Sequence, residues 1–102
     1  MINKQVLEEK YVNSLKQKIL GKTFDVSEKT KLANIVGNEF VDVINSELQL
    51  KSFQMREAKT LNVLLFTIIS EEKNLAQIVV PTKDIGPTTI EIKDVEISLF
   101  IE

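Results

Sequence analysis

The side chains that most often carry acid–base and nucleophilic chemistry near neutral pH are missing from this chain, which has no histidine and no cysteine. Their loss removes the usual general base, the thiol nucleophile and nearly all zinc ligands. Carboxylates, serines, lysines and a single tyrosine, Tyr11, remain. Ser14, Ser27, Ser46, Ser52, Ser70 and Ser98 have no imidazole to pair with, so a Ser-His triad is impossible. A Ser-Lys dyad is formally open, but no spacing singles one out. Carboxylates can hold a hard cation or serve as acid and base. The candidates are Glu71-Glu72, and Glu91 with Glu96 and Glu102.

Each of these also has a plain structural explanation. Glu71-Glu72 falls in an expected polar turn. Glu96, Ser98 and Glu102 share one face of the expected last strand with Phe100, as on a solvated sheet face. Asp84 precedes Ile85-Gly86-Pro87, where turn chemistry accounts for it. Gly21, Gly37 and Gly86 do not cluster, which excludes a glycine-rich phosphate loop. No cofactor and no metal is called for, and the chain leans away from an enzyme. The catalytic alternative is a carboxylate site with Tyr11, in a pocket between helices and sheet.

Charge offers a second kind of chemistry. The net charge is −2, but residues 1–31 carry seven lysines against Glu8, Glu9, Asp25 and Glu28, while residues 85–102 carry Lys93 against Glu91, Asp94, Glu96 and Glu102. Opposite solvated faces explain this. A nucleic-acid regulator would need the basic residues of the first helix on one stripe. Lys4, Lys10, Lys16 and Lys18 scatter around the helical wheel, Arg56 is the only arginine, and stacking aromatics are few. Nucleic acid is therefore the secondary partner. A membrane surface is not expected, because Glu8 and Glu9 interrupt the basic residues.

The elements that position these residues follow from periodicity. Residues 2–20 read as a helix with Leu7, Tyr11, Val12, Leu15 and Ile19 on one arc and Gly21 as its C-terminal cap. Ile2, Val6 and Leu20 fall outside that arc. Residues 26–46 read as a second helix with Leu32, Val36, Phe40, Val43 and Ile44 inward and Asp25 and Glu28 at capping-box spacing. Gly37 borders the inward face. From residue 48 the period changes to alternation, with a phase slip suggesting a bulge near Ser52, so residues 48–56 read as a strand, with a continued helix as the rival reading because Glu47 and Lys51 sit at i,i+4 spacing. Residues 61–70 read as a central strand with Val63, Leu65 and Ile69 on one face and Leu64, Phe66 and Ile68 on the other. Residues 75–80 form the next strand, ended by Pro81. Residues 89–101 form the last, with Ile90 and Ile92 in one phase and Val95, Ile97, Leu99 and Ile101 in the other. The switch at Lys93-Asp94 reads as a bulge, because a two-residue hairpin there needs positive φ at both residues.

The expected fold is one α+β domain over residues 1–102, with two N-terminal helices packed on a four-stranded, mainly antiparallel sheet in the order ααββββ. No linker, repeat or low-complexity stretch divides it. The apolar run Val63–Ile69 is too short to span a bilayer, the N-terminus lacks a signal-type apolar stretch, and the absence of cysteine fits a reducing compartment. These point to the cytoplasm. The composition, leaning to Lys, Asn and Ile, also suits a bacterial or phage accessory protein.

The strand with two apolar faces needs cover on both sides, and the helices supply only one. A non-catalytic interaction or assembly module that self-associates follows, with a second copy or another protein as partner. The expected contact residues are Phe66 and Ile68 on the central strand and Ile97, Leu99 and Ile101 on the last. A free edge on that last strand would add unpaired backbone groups.

Overall fold

A computed structural model describes residues 3–101. Helix α1 (Lys4–Ile19) opens on Asn3, whose side chain accepts the Val6 amide at 3.2 Å, and stops at Leu20. Gly21 follows with φ of 75°, the left-handed cap that glycine adopts without steric cost. Leu7, Tyr11, Leu15 and Ile19 are buried, Val12 is half-buried, and Val6 and Leu20 face solvent as their positions off the arc predict. Ile2 lies outside the described residues.

A short strand β1 (Thr23–Asp25) and a 3₁₀ turn (Val26–Glu28) precede α2 (Lys29–Glu39). The capping spacing is used: the Asp25 amide donates to the Glu28 carboxylate at 3.0 Å. The helix does not end at 46. It passes into a π-helical stretch (Phe40–Asn45) and one further turn, α3 (Ser46–Leu48). The wider π turn absorbs an extra residue, and Phe40, Val43 and Ile44 all reach the core. Gln49 then takes the left-handed conformation, φ 56° and ψ 45°, and breaks the helix. Asn45 ties down the exit by accepting the Leu50 amide at 2.8 Å.

That break is the phase slip seen in the sequence, so the expected strand at 48–56 is corrected. It begins later, as β2 (Gln54–Thr60), and residues 49–53 form an irregular connection after α3 rather than a bulged strand. β3 (Val63–Ser70) and β4 (Lys73–Asp84) complete an antiparallel meander, followed by β5 (Thr89–Ile92) and β6 (Glu96–Leu99). Among the described residues the sheet has six strands rather than four, in the order β1-β5-β4-β3-β2, with β6 also on β4. The α+β class stands.

Pro81 does not end its strand; β4 runs through it to Asp84. In an extended strand a residue's nitrogen and carbonyl point to the same side. The Pro81 carbonyl accepts the Lys93 amide at 2.9 Å, so its missing donor faces the gap between β5 and β6, where no acceptor needs it. That gap is the expected break at Lys93-Asp94. Thr82 stands opposite Ile92 and Val79 opposite Glu96, three steps along β4 against four on the other side, so one residue is extra. Both segments pair with β4, which rules out a hairpin between them. The irregular Val95 amide is satisfied by Asp94 Oδ1 at 2.8 Å, and Lys16 reaches Asp94 at 3.2 Å from α1. The bond from the Val95 amide, then the one from Lys16, hold the Asp94 carboxyl below its usual range.

The helices cover one face of the sheet. Leu64, Phe66 and Ile68 of β3 and Ala76, Ile78 and Val80 of β4 join Tyr11, Leu15, Val36, Phe40 and Ile44 in one buried cluster. Burying a side chain such as Phe66 contributes about 1.5–3 kcal/mol. Phe40 meets Phe53 edge to face at 5.1 Å, which fastens the chain after α3 to the helix layer. Among the described residues no helix is long and apolar enough to cross a membrane.

Candidate interaction surface

The polar groups between the helices are committed to holding them together. Ser14 and Lys18, one turn apart on α1, both donate to the buried carboxylate of Glu39 on α2. Burial alone would push Glu39 up, but the bonds from Lys18 and Ser14 outweigh it and hold its carboxyl below the usual range. Lys18 is shifted upward, first by its hydrogen bond to Glu39 and then by the carboxylate's charge. A lysine held protonated cannot act as a base, which argues against a Ser-Lys dyad where Ser14 and Lys18 share Glu39 as partner. Tyr11 is fully buried and donates to the Val36 carbonyl at 3.0 Å. Burial, and then the nearby Glu39 charge, push its hydroxyl far above the usual value, so it stays neutral.

The other chemical candidates are dispersed. Glu71 and Glu72 form the β3–β4 turn, both with positive φ, 52° and 64°. Glu91 lies beside Lys93 at 3.4 Å, Glu96 is exposed on β6, Asp84 ends β4, and Glu102 lies outside the described residues. Among the described residues no three metal-ligating side chains gather. The hollow between helix layer and sheet holds about 100 Å³, with Phe24, Leu32, Leu64 and Ile90 as its floor and Asp25, Lys29, Glu57 and Lys59 at its rim; Tyr11 is not part of it. Of the α1 lysines, Lys16 and Lys18 are spent on Asp94 and Glu39, leaving Lys4 and Lys10 exposed without a shared stripe.

The expected contact residues lie on the helix-covered side of the sheet. Phe66, Ile68 and Leu99 are fully buried under the helices. Ile97 and Ile101 are half-buried and pack against the same core. Ile97 and Ile101 keep part of their surface accessible, whereas Phe66, Ile68 and Leu99 are closed to a partner. Nor is the β6 edge bare: its Leu99 amide donates to Glu8 of α1 at 2.8 Å.

The opposite phase forms the outer face. Cross-strand partners share a face, which places Ala58, Leu65 and Val79 in one row and Arg56, Thr67 and Gln77 in the next. Val63 and Pro81 lie beyond the first row, with Ile69 and Leu75 at the far end. Ala58 is exposed and the other apolar side chains are half-buried by their sheet neighbours, and none of them belongs to the core. Phe100 extends the patch and is 52% exposed. On the outer sides of β2 and β6 the charged side chains are Arg56 and Glu96, one at each flank of the apolar strip. Thr67 was the sequence signal for this face: it interrupts the Val63, Leu65, Ile69 phase, whereas the Leu64, Phe66, Ile68 phase is unbroken.

These features define a helix-over-sheet α+β protein in which, among the described residues, one sheet face has no covering layer. Comparison of the chain with protein-family models, curated proteins and solved structures finds no match.

Proposed function

We propose that this protein is a non-catalytic assembly module of the cytoplasm that self-associates by packing the outer face of its sheet on the same face of a second copy. The observation that carries this reading is the row of Val63, Leu65, Ile69, Leu75 and Val79 on a face that no helix covers. In a two-layered helix–sheet protein that face is normally polar and alternates with the core phase, and a contiguous apolar patch at such a place marks an interaction surface. Sheets stack about 10 Å apart with strands nearly aligned.

The flanking charges favour a second copy as the occupant. A two-fold axis parallel to the strands exchanges the β2 side for the β6 side. It turns Arg56 of each copy toward Glu96 of the other, offset by one row of side chains, about 7 Å, a gap the long arginine side chain can bridge. The contact is then self-complementary, as a two-fold interface must be. A cysteine-free chain leaning to Lys, Asn and Ile suits an accessory protein of a bacterium or phage.

Light scattering over a concentration series tests the reading. The wild-type chain is expected to self-associate, and Leu65→Lys, which places a charge in the centre of the face, is expected to weaken that association by at least about 100-fold while leaving the circular dichroism unchanged. A wild-type chain that stays monomeric at high concentration, or a Leu65→Lys variant that associates as the wild type does, refutes it.

A further inference from the structure

We infer that the free edge of β2 is a second self-pairing site, at which two copies join into one continuous antiparallel sheet about a two-fold axis through Ala58. The inference rests on the sheet edge and is independent of the outer face.

β2 ends the sheet, with β3 on one side and no strand on the other among the described residues. The β2–β3 loop is Leu61-Asn62, so Thr60 and Val63 form the closing pair of a two-residue hairpin and exchange both backbone bonds. Alternate residues then turn outward. Arg56 and Ala58 bond toward β3, while Met55, Glu57 and Lys59 present their N–H and C=O groups at the open edge.

The side chains select one register. For the two faces of a joined sheet to stay continuous, paired residues must share a face, which puts the two-fold axis on a residue rather than between residues. Centred on Arg56, the pairing sets arginine against arginine; on Glu57, glutamate against glutamate; on Lys59, lysine against lysine. Centred on Ala58, it sets Glu57 of each copy opposite Lys59 of the other, twice, and Arg56 opposite Thr60. Like charges directly opposite destabilise a sheet pair and opposite charges stabilise it.

Two further observations fit the Ala58 register alone. Residues 57 and 59 are those whose backbone groups face outward, so the charge-matched pairs are also the hydrogen-bonded pairs, giving about four main-chain bonds across the junction. Ala58, the smallest side chain of β2, then falls at the non-bonded pair, where two strands approach most closely. Within one chain neither Glu57 nor Lys59 forms an ion pair among the described residues. Both stand at the rim of the apolar hollow between helix layer and sheet.

Because the chain has no cysteine, a single substitution reads the register directly. Ala58→Cys is expected to give a disulfide-linked dimer under mild oxidation. Arg56→Cys and Thr60→Cys are expected to stay monomeric alone and to cross-link when mixed, since the register sets those positions opposite each other. Glu57→Lys should weaken the pairing about tenfold, and the charge exchange Glu57→Lys with Lys59→Glu should restore it. Leu65→Lys, which disrupts the outer face, should leave the Ala58→Cys cross-link intact. Equal cross-linking at all three cysteine positions, no cross-link at position 58, or no recovery in the charge-exchanged variant overturns the inference.

Discussion

Replacing Glu71-Glu72 by Asn-Gly is expected to raise the stability of the fold by about 1 kcal/mol, a figure that follows from the backbone of the β3–β4 turn. Ser70 pairs with Lys73, so only Glu71 and Glu72 make the connection, and both sit at positive φ. That is the geometry of the hairpin turn that suits the right-handed twist of the strands, and it strongly prefers Asn-Gly. A residue with a Cβ pays about 1–2 kcal/mol in this region. Asparagine relieves part of that cost at the first position and glycine nearly all of it at the second. Glycine's extra freedom in the unfolded chain takes back about 0.5–1 kcal/mol. For a chain of this size the net gain corresponds to a rise in Tm of about 4–8 °C. Urea unfolding followed by circular dichroism, at one protein concentration, measures it as a higher midpoint with an unchanged slope. Two adjacent carboxylates are also removed, so the double variant to alanine serves as the control: it deletes the charges, keeps the left-handed cost and should gain little. An Asn-Gly variant no more stable than wild type, or an alanine variant that gains as much, refutes the reasoning.

Gly37→Ala is expected to stabilise the second helix by about 1 kcal/mol, because a Cβ there would meet only the Met55 side chain, at 3.7 Å from Cε, an ordinary packing distance; thermal unfolding checks it, and a loss of stability would mean the site is tighter than that distance indicates. Glu39→Gln is expected to cost about 1–3 kcal/mol at neutral pH. The Glu39 carboxyl is held below its ordinary value, so its contribution is fully present above the unfolded-state value near 4.3 and is lost as pH falls through the folded-state value. The stability gap between wild type and Glu39→Gln, measured by urea unfolding at pH 7 and at pH 3, should therefore narrow on acidification.

The helices were legible because their inward residues repeat at helical spacing, and β3 because its residues are apolar in both phases. What escaped sequence reading has local causes. β2 is polar on the side facing solvent and carries Glu57 and Lys59 on the other, so it shows no alternation. β1 spans only Thr23–Asp25 and exists by pairing with β5, a contact remote in sequence. Pro81 reads as a stop unless one knows that its absent donor faces a gap. At the candidate surface, the two apolar phases of β3 were visible, but the contact residues were assigned to the phase that the helices cover. Placing Glu96 and Ser98 on a solvated face already implied that Ile97 and Leu99 lie on the covered one. Thr67 carried the same information for β3.

The supernumerary residue between β5 and β6 has a consequence for how this chain tolerates insertions and deletions. Ile90 and Ile92 point to the helices before it, and Val95, Ile97 and Leu99 do so after it, only because it shifts the alternation by one. Deleting any one residue from Lys93 to Val95 would let the two segments zip into a regular strand along β4. The side chains of β6 would keep their faces, because the deletion removes the phase shift of the sequence together with the extra residue, and Ile97 and Leu99 would stay under the helices. Pro81 would at the same time meet a backbone acceptor to which it has nothing to donate. A deletion at this point thus costs the acceptor left unpaired opposite Pro81, whereas a deletion within Glu96–Leu99 would send the residues beyond it to the opposite face. A deletion scan across residues 83–99 would show more tolerance at the irregularity than inside the paired strands.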